Sequence, residues 1–286
     1  MTDGNGAPFQ RVAIVGLGLM GGSLARALKK LPSPPHILVS SQGPRDIRAA
    51  KDAGVIDAEA RGPEDLLGDR DLVVYATPLR ATLDLFVEHG PFIASGTIVT
   101  DVVSLKAPLS VRAEEAGLGD RYVGSHPMVG GTGTGFGHSS EDLYAGAPVW
   151  LVSGPEVSPE SVQRVRALWE SLGARTADTT PKEHDESMAW VSHLPQLTSN
   201  ALALALARAG VRRDQLGSGG TDMTRLAGSA SAMWAELLEA APGNLPAALE
   251  AVEVALSELR KRLQSEDIPG ITKKMAETRE WVEGDL

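Results

Sequence analysis

The run VAIVGLGLMGGSL (residues 12 to 24) constrains this chain more than any other segment. An apolar, β-branched strand leads into glycines at positions 16, 18 and 21, and an amphipathic helix follows. Gly16 permits the tight turn, Gly18 lets backbone amides approach a pyrophosphate, and Gly21 lets the helix pack closely on the strand. The pyrophosphate then lies at the positive end of the helix, beside Leu19 and Met20. A glycine triplet alone is weak evidence. With a strand before it and a helix after it, it marks a dinucleotide site, and the chain reads as a nicotinamide-dinucleotide-dependent oxidoreductase.

Short apolar runs recur at residues 11 to 15, 36 to 40, 71 to 77, 97 to 102, 121 to 125 and 148 to 152, separated by helical stretches. That alternation predicts an α/β fold with a mainly parallel sheet covered by helices, a Rossmann-like doubly wound sheet. Strand signals stop near residue 180. The expected organisation is a dinucleotide-binding domain over 1–180 and an all-helical domain, for substrate binding and dimerisation, over 181–286. Residues 184 to 209 predict one long apolar helix interrupted only near Pro195. Further on, Leu245, Leu249, Val252, Leu256, Leu259 and Leu263 share one helical face, with Pro246 suited to the helix start. That stripe serves either an internal seam or a dimer contact. The apolarity of residues 188 to 209 on almost every face favours a helical homodimer.

With 286 residues the chain is long enough for two domains and a substantial core. It has no cysteine, which excludes thiolate nucleophiles, thiolate metal sites and disulfides. A net charge of −10 argues against a nucleic-acid or anionic-membrane binder. His193, Pro195, Gln196, Ser199 and Asn200 would be costly facing lipid, so the weakly polar segment holding them is expected inside protein. The opening MTDGNGAPFQ lacks a basic start and an apolar stretch, and reads as a short tail. A cytoplasmic protein is expected.

Adenosine-ribose specificity is normally set at the end of the second strand, where an acid binds the two free hydroxyls. Here the sequence is VSSQGPR (39 to 45), with no acid before Asp46. Ser40, Ser41 and Arg45 offer hydroxyl and guanidinium donors for a 2′-phosphate, which favours NADP over NAD. The competing reading is an ordinary turn.

Three later strand ends carry polar groups: Thr77 with Pro78, the run DVVSLK from Asp101 to Lys106, and GSHPM from Gly124 to Met128. Thr77, Pro78 and Asp101 are expected beside the cofactor. Together with HDESMAWVSHLP and TDMTRLAGSASAMW, these segments occur in the order seen in the prephenate and arogenate dehydrogenase family, and the chain resembles that family from about residue 11 to about 240. The resemblance implies an oxidative decarboxylation in tyrosine biosynthesis. Hydride leaves the ring carbon that bears the hydroxyl, the hydroxyl proton is removed, and carbon dioxide departs as the ring becomes aromatic. It further implies His126 as the base for the ring hydroxyl, Ser104 as a second contact to that hydroxyl or a support for His126, and Arg225 as the grip on a substrate carboxylate. The other reading of Arg225 is a local ion pair with Asp222. His193, Gln196 and Asn200 make a polar line on an otherwise apolar helix, expected to face the ligand or a second subunit. His184 is half a turn out of phase with His193, a poor metal pair, and no metal is expected. Trp234 matches the family pattern or is simply core.

Two departures bear on the substrate. Gln196 stands where many members have a second histidine, and the loop VGGTGTGFG has Thr132 and Gly133 where Glu and Lys are common. Thr132 is nonetheless expected to touch substrate, and the glycine-rich loop suits a lid. With the missing ribose acid, these departures resemble the NADP-using arogenate branch. Neither a regulatory amino-acid-binding domain nor a fused mutase is expected. A β-hydroxyacid dehydrogenase or imine reductase would share the glycine turn, but the former needs a lysine that residues 184 to 209 lack. A non-catalytic dinucleotide-sensing dimer would leave Ser104, His126, His193 and Arg225 without a purpose.

Overall fold

The computed structural model describes residues 8–130, 133–240 and 243–284. The chain begins with β1 (Arg11–Val15), α1 (Leu19–Lys29), β2 (His36–Ser40), α2 (Pro44–Asp52), β3 (Ala58–Glu59), α3 (Pro63–Leu67), β4 (Leu72–Tyr75), α4 (Leu79–His89) and β5 (Ile98–Asp101). These strands form one sheet in the order β3-β2-β1-β4-β5, with every pairing parallel. Along β1, Val12 and Ile14 enter a core cluster with Leu24 and Leu28 of α1, while Ala13 and Val15 enter a second with Phe86 of α4. Burial on both faces is why these strands read as continuous apolar runs.

There follow α5 (Ala107–Glu115), β6 (Val123–Pro127), β7 (Pro148–Ser153), α6 (Pro159–Ser171) and β8 (Arg175–Thr179). A second sheet has the order β6-β7-β8, with β6 antiparallel to β7 and β7 parallel to β8. A parallel bridge from Val99 to Tyr122 gives β6 the same direction as β5. Neither β3 nor β8 had been expected. The first is two residues long, and RTADT in β8 is a polar, largely exposed strand without apolar alternation.

The remaining elements are α7 (Pro181–Met188), a π-helical turn (Ala189–His193), α8 (Leu194–Arg208), α9 (Ser218–Met223), α10 (Ser231–Ala240), α11 (Leu245–Gln264) and α12 (Ile268–Glu283). The single helix expected over 184 to 209 is therefore interrupted by the π turn. The interruption expected near Pro195 is this π turn, which ends two residues before the proline inside an unbroken helical run. Among the described residues no helix is long and apolar enough to cross a membrane.

By contacts the chain divides into Met1–Ser187 with Gly228–Ala241, and Met188–Ala227 with Pro242–Leu286. The first unit reclaims α10 because Leu237 is buried in the second core cluster, Trp234 packs on that cluster, and Glu239 pairs with Arg80 at 2.7 Å. In the second unit α11 packs on α8 and α12. Its apolar stripe splits along its length: Leu245 is buried, whereas Leu256 and Leu263 are 59% and 62% exposed.

Candidate active site

The strand order reverses between β1 and β4, and a doubly wound sheet binds its ligand at the carboxyl ends of the strands flanking that switch. The glycine turn sits there. Gly16 has φ +97°, and a Cβ on it would lie 2.5 Å from the carbonyl oxygen of Ala76, just past β4. A Cβ on Gly21 would lie 2.0 Å from the Gly16 carbonyl oxygen, so only glycine brings α1 this close to the turn. Gly18 faces open space, where a Cβ meets nothing within 4 Å. Behind it, the N-terminus of α1 has no side-chain cap and no acidic residue in its first turn. Orphan N–H groups and the positive helix end are thus left for an anion, and these residues fit a dinucleotide pyrophosphate.

At the end of β2, Ser40 and Ser41 are half-buried and Arg45, in the first turn of α2, is exposed. Asp46, the nearest acid, accepts the Phe136 backbone N–H at 2.9 Å. Arg26 stacks on the Phe136 ring and donates to the Ser139 hydroxyl at 2.7 Å. The far end of the glycine-rich loop is therefore anchored to α1 and α2 through its one aromatic residue. Thr132 lies outside the described residues. Met20 is half-buried in the first turn of α1, where its carbonyl accepts the Tyr144 hydroxyl at 2.8 Å. Thr77 shares a hydrogen bond with Thr82 at 2.8 Å, and Pro78 precedes α4.

Asp101 closes β5 but does not face outward as expected of a cofactor contact. It is fully buried, and its carboxylate accepts from the Tyr122 hydroxyl (2.8 Å), from the backbone N–H groups of Val103 (2.8 Å) and Ser125 (3.3 Å), and from the Lys106 ammonium. Burial pulls the Lys106 ammonium below its ordinary value, and the Asp101 carboxylate opposes that fall. Burial, helped by Asp101, pushes the Tyr122 hydroxyl well above the usual tyrosine range and keeps it a donor. Asp101 thus fastens the segment after β5 to the start of β6.

His126, on β6 opposite Trp150 of β7, is 8% exposed. Its neighbour Ser125 is held by Thr100 and by the Trp169 indole N–H, at 2.8 and 2.9 Å. The His126 Nδ1 lies 2.9 Å from Nε2 of His184, whose own Nδ1 lies 2.7 Å from Asp185. Asp185 in turn accepts the backbone N–H groups of Lys106 and Ala107, each at 2.8 Å, at the N-terminus of α5. The segments DVVSLK, GSHPM and HDES therefore meet at one point, and the residue behind His126 is His184, with Ser104 half-buried nearby in sequence. From the sequence, His184 is weighed only as a metal partner of His193 and, with Asp185, lies inside the motif HDESMAWVSHLP, with no role at His126. The signals that could have found them are that motif and the His–Asp pair ahead of an apolar helix.

In the second unit, Gln196 donates to Asn200 at 2.9 Å and to the Leu226 carbonyl at 2.7 Å, and Ser199 donates to the Met223 carbonyl at 2.8 Å. The polar line on α8 thus binds the 223–227 segment of its own unit, because that segment presents carbonyls that the helix face can satisfy. His193 is buried. Arg225 opens a short 3-10 turn, is exposed, and forms no ion pair with Asp222 among the described residues.

Sheet order, glycine turn and switch point together define a dinucleotide-binding protein of the doubly wound class. Within that class the comparisons are specific. Residues 24–178 match the family model for the nucleotide-binding domain of prephenate dehydrogenase, and residues 180–277 match that for its dimerization domain. The chain belongs to the prephenate dehydrogenase family. It is 31% identical over 236 residues to the prephenate dehydrogenase of Bacillus subtilis, a match covering 79% of this chain and 63% of that longer protein. It is 29% identical to the cyclohexadienyl dehydrogenase of Zymomonas mobilis, over 91% of this chain and 90% of that one. Among solved structures, the prephenate dehydrogenase of Aquifex aeolicus in complex with hydroxyphenyl propionate and NAD+ superposes with a TM-score of 0.87 at 29% identity, covering 97% of this chain and 98% of that one. Synechocystis arogenate dehydrogenase gives 0.80 at 25%, covering 97% and 100%. A 3-hydroxyisobutyrate dehydrogenase from Mycobacterium tuberculosis reaches only 0.52 at 14%, covering 74% and 70%, and shares the fold alone.

Proposed function

We propose that this chain oxidatively decarboxylates prephenate, arogenate or both, with His126 as the base and NADP as the favoured dinucleotide. The observation that carries the base assignment is the placement of His126 at the carboxyl edge of the strands, with its Nδ1 turned to a protein partner. The ring hydroxyl gives its proton to Nε2 of His126 as the carbon beneath it loses hydride, and the bound nicotinamide supplies the hydride acceptor. The carbon–carboxylate bond then breaks, its electron pair enters the ring, and the ring oxygen takes the proton back from His126. Aromatisation drives the reaction, so the protein supplies positioning and one well-placed base.

Arg225 grips a substrate carboxylate through paired N–H donors. Gln196 supports it indirectly, since Gln196 holds Leu226, the next residue in the chain. Ser40, Ser41 and Arg45 receive the 2′-phosphate, and the engagement of Asp46 by Phe136 supports this, because it removes the nearest carboxylate from ribose binding. The exposed half of the α11 stripe pairs with a second copy to make a homodimer, in keeping with the domain its family model describes. Replacing His126 with Asn tests the central assignment. Turnover should fall by roughly 10² to 10⁴, the usual contribution of a general base, while dinucleotide affinity stays within about twofold. Full turnover in the variant would remove His126 from the chemistry.

A further inference from the structure

We propose that His184 and Asp185 are positioning residues that select the reactive tautomer of His126 and share the charge it acquires. The proposal rests on His126 being the base. An Asp185 carboxylate accepting two backbone N–H groups can only accept from its third neighbour, so His184 donates through Nδ1. Neutral His184 then carries its lone pair on Nε2. That atom lies 2.9 Å from Nδ1 of His126, so His126 donates through Nδ1 and holds its own lone pair on Nε2. The order of protons is thus fixed from the protein side outward, and the basic nitrogen is the one turned away from His184.

The same chain handles charge. When His126 takes the hydroxyl proton on Nε2, its Nδ1–H bond to His184 becomes charge-assisted, and the carboxylate behind His184 stabilises the imidazolium. Side chains of His184 and Asp185 are 0% and 5% exposed, so water does not screen that attraction. Asp185 is itself pinned at the α5 N-terminus, where a negative charge is favoured. The other ionisable groups of this cluster are Lys106 and Tyr122, both bonded to Asp101 and not to His184.

Two variants and one spectrum test the proposal. His184→Leu removes the acceptor. Turnover should drop roughly 10²-fold with little change in KM, and the acidic limb of the turnover–pH profile should move to lower pH, because the imidazolium loses its support. His184→Gln places a carbonyl oxygen near the lost nitrogen and should recover most of the turnover. Nitrogen-15 spectra of the histidine-labelled wild-type protein, which has six histidines, should show His126 protonated at Nδ1 and bare at Nε2. A His126 protonated at Nε2 would overturn the proposal. So would equal losses in His184→Leu and His184→Gln with an unmoved acidic limb, the pattern of a merely structural residue. These failures are separable from failure of the base assignment, which shows as full turnover in His126→Asn.

Discussion

Asp101 and Arg45 show how one residue's surroundings decide its use. Asp101 ends a strand at the ligand edge, a position that in isolation suggests a cofactor contact, yet four donors of its own chain enclose it. Arg45 is exposed beside two hydroxyls, with the adjacent carboxylate engaged elsewhere. Changing Arg45 to Ala should weaken NADP binding by about tenfold or more, the scale of a lost charge-assisted hydrogen bond at roughly 1.5–3 kcal/mol, and leave NAD nearly untouched. Paired titrations of both dinucleotides check this, and equal effects would remove Arg45 from the phosphate site. The glycine turn and the place of His126 near a strand end were legible because local motifs carry them. His184 and Asp185 were not, because their partners lie 58 and 79 positions away and only the packing of α7 brings them together.

At the level of elements, the strands of the parallel sheet were readable wherever both faces are buried. β8 escaped because an exposed edge does not require apolar side chains. Pro195 signalled the irregularity ahead of α8 but not its π form, since proline marks a break without fixing which residues absorb it. The packing of α4 on the sheet has a pH signature. His89, near the end of α4, lies 3.0 Å from the Tyr75 hydroxyl of β4, and burial holds its imidazole below the ordinary value, against a smaller opposing pull from Glu88. A histidine kept neutral in the folded state but free to protonate when unfolded stabilises the fold less as pH falls below about 6.5. His89→Gln keeps a hydrogen-bond partner for Tyr75 without a titrating ring. Urea unfolding at about pH 7.5 and 5.5, on either side of that ordinary value, should show a smaller acid loss in the variant; an equal loss would assign the acid sensitivity elsewhere.

For the whole molecule, α/β followed by helices was evident from where strand signals end. What the sequence order concealed is that Gly228–Ala241 returns to the first unit, a consequence of Leu237 and Trp234 joining the core beside α4. The α11 stripe is divided between a buried start and an exposed remainder. Its start is internal, and Leu256, Leu259 and Leu263 stay 37% to 62% exposed, the face proposed above to meet a second copy. Leu256→Glu combined with Leu259→Glu should convert a dimer into a monomer in sedimentation, whereas an unchanged sedimentation coefficient would place the interface on another face. The most direct measurement supplies prephenate and arogenate separately, each with NAD and with NADP, and follows reduced dinucleotide and carbon dioxide together. Equal amounts of the two products are expected from at least one substrate, with higher catalytic efficiency for NADP and loss of both products in His126→Asn; no turnover in any of the combinations would rule out the proposed reaction.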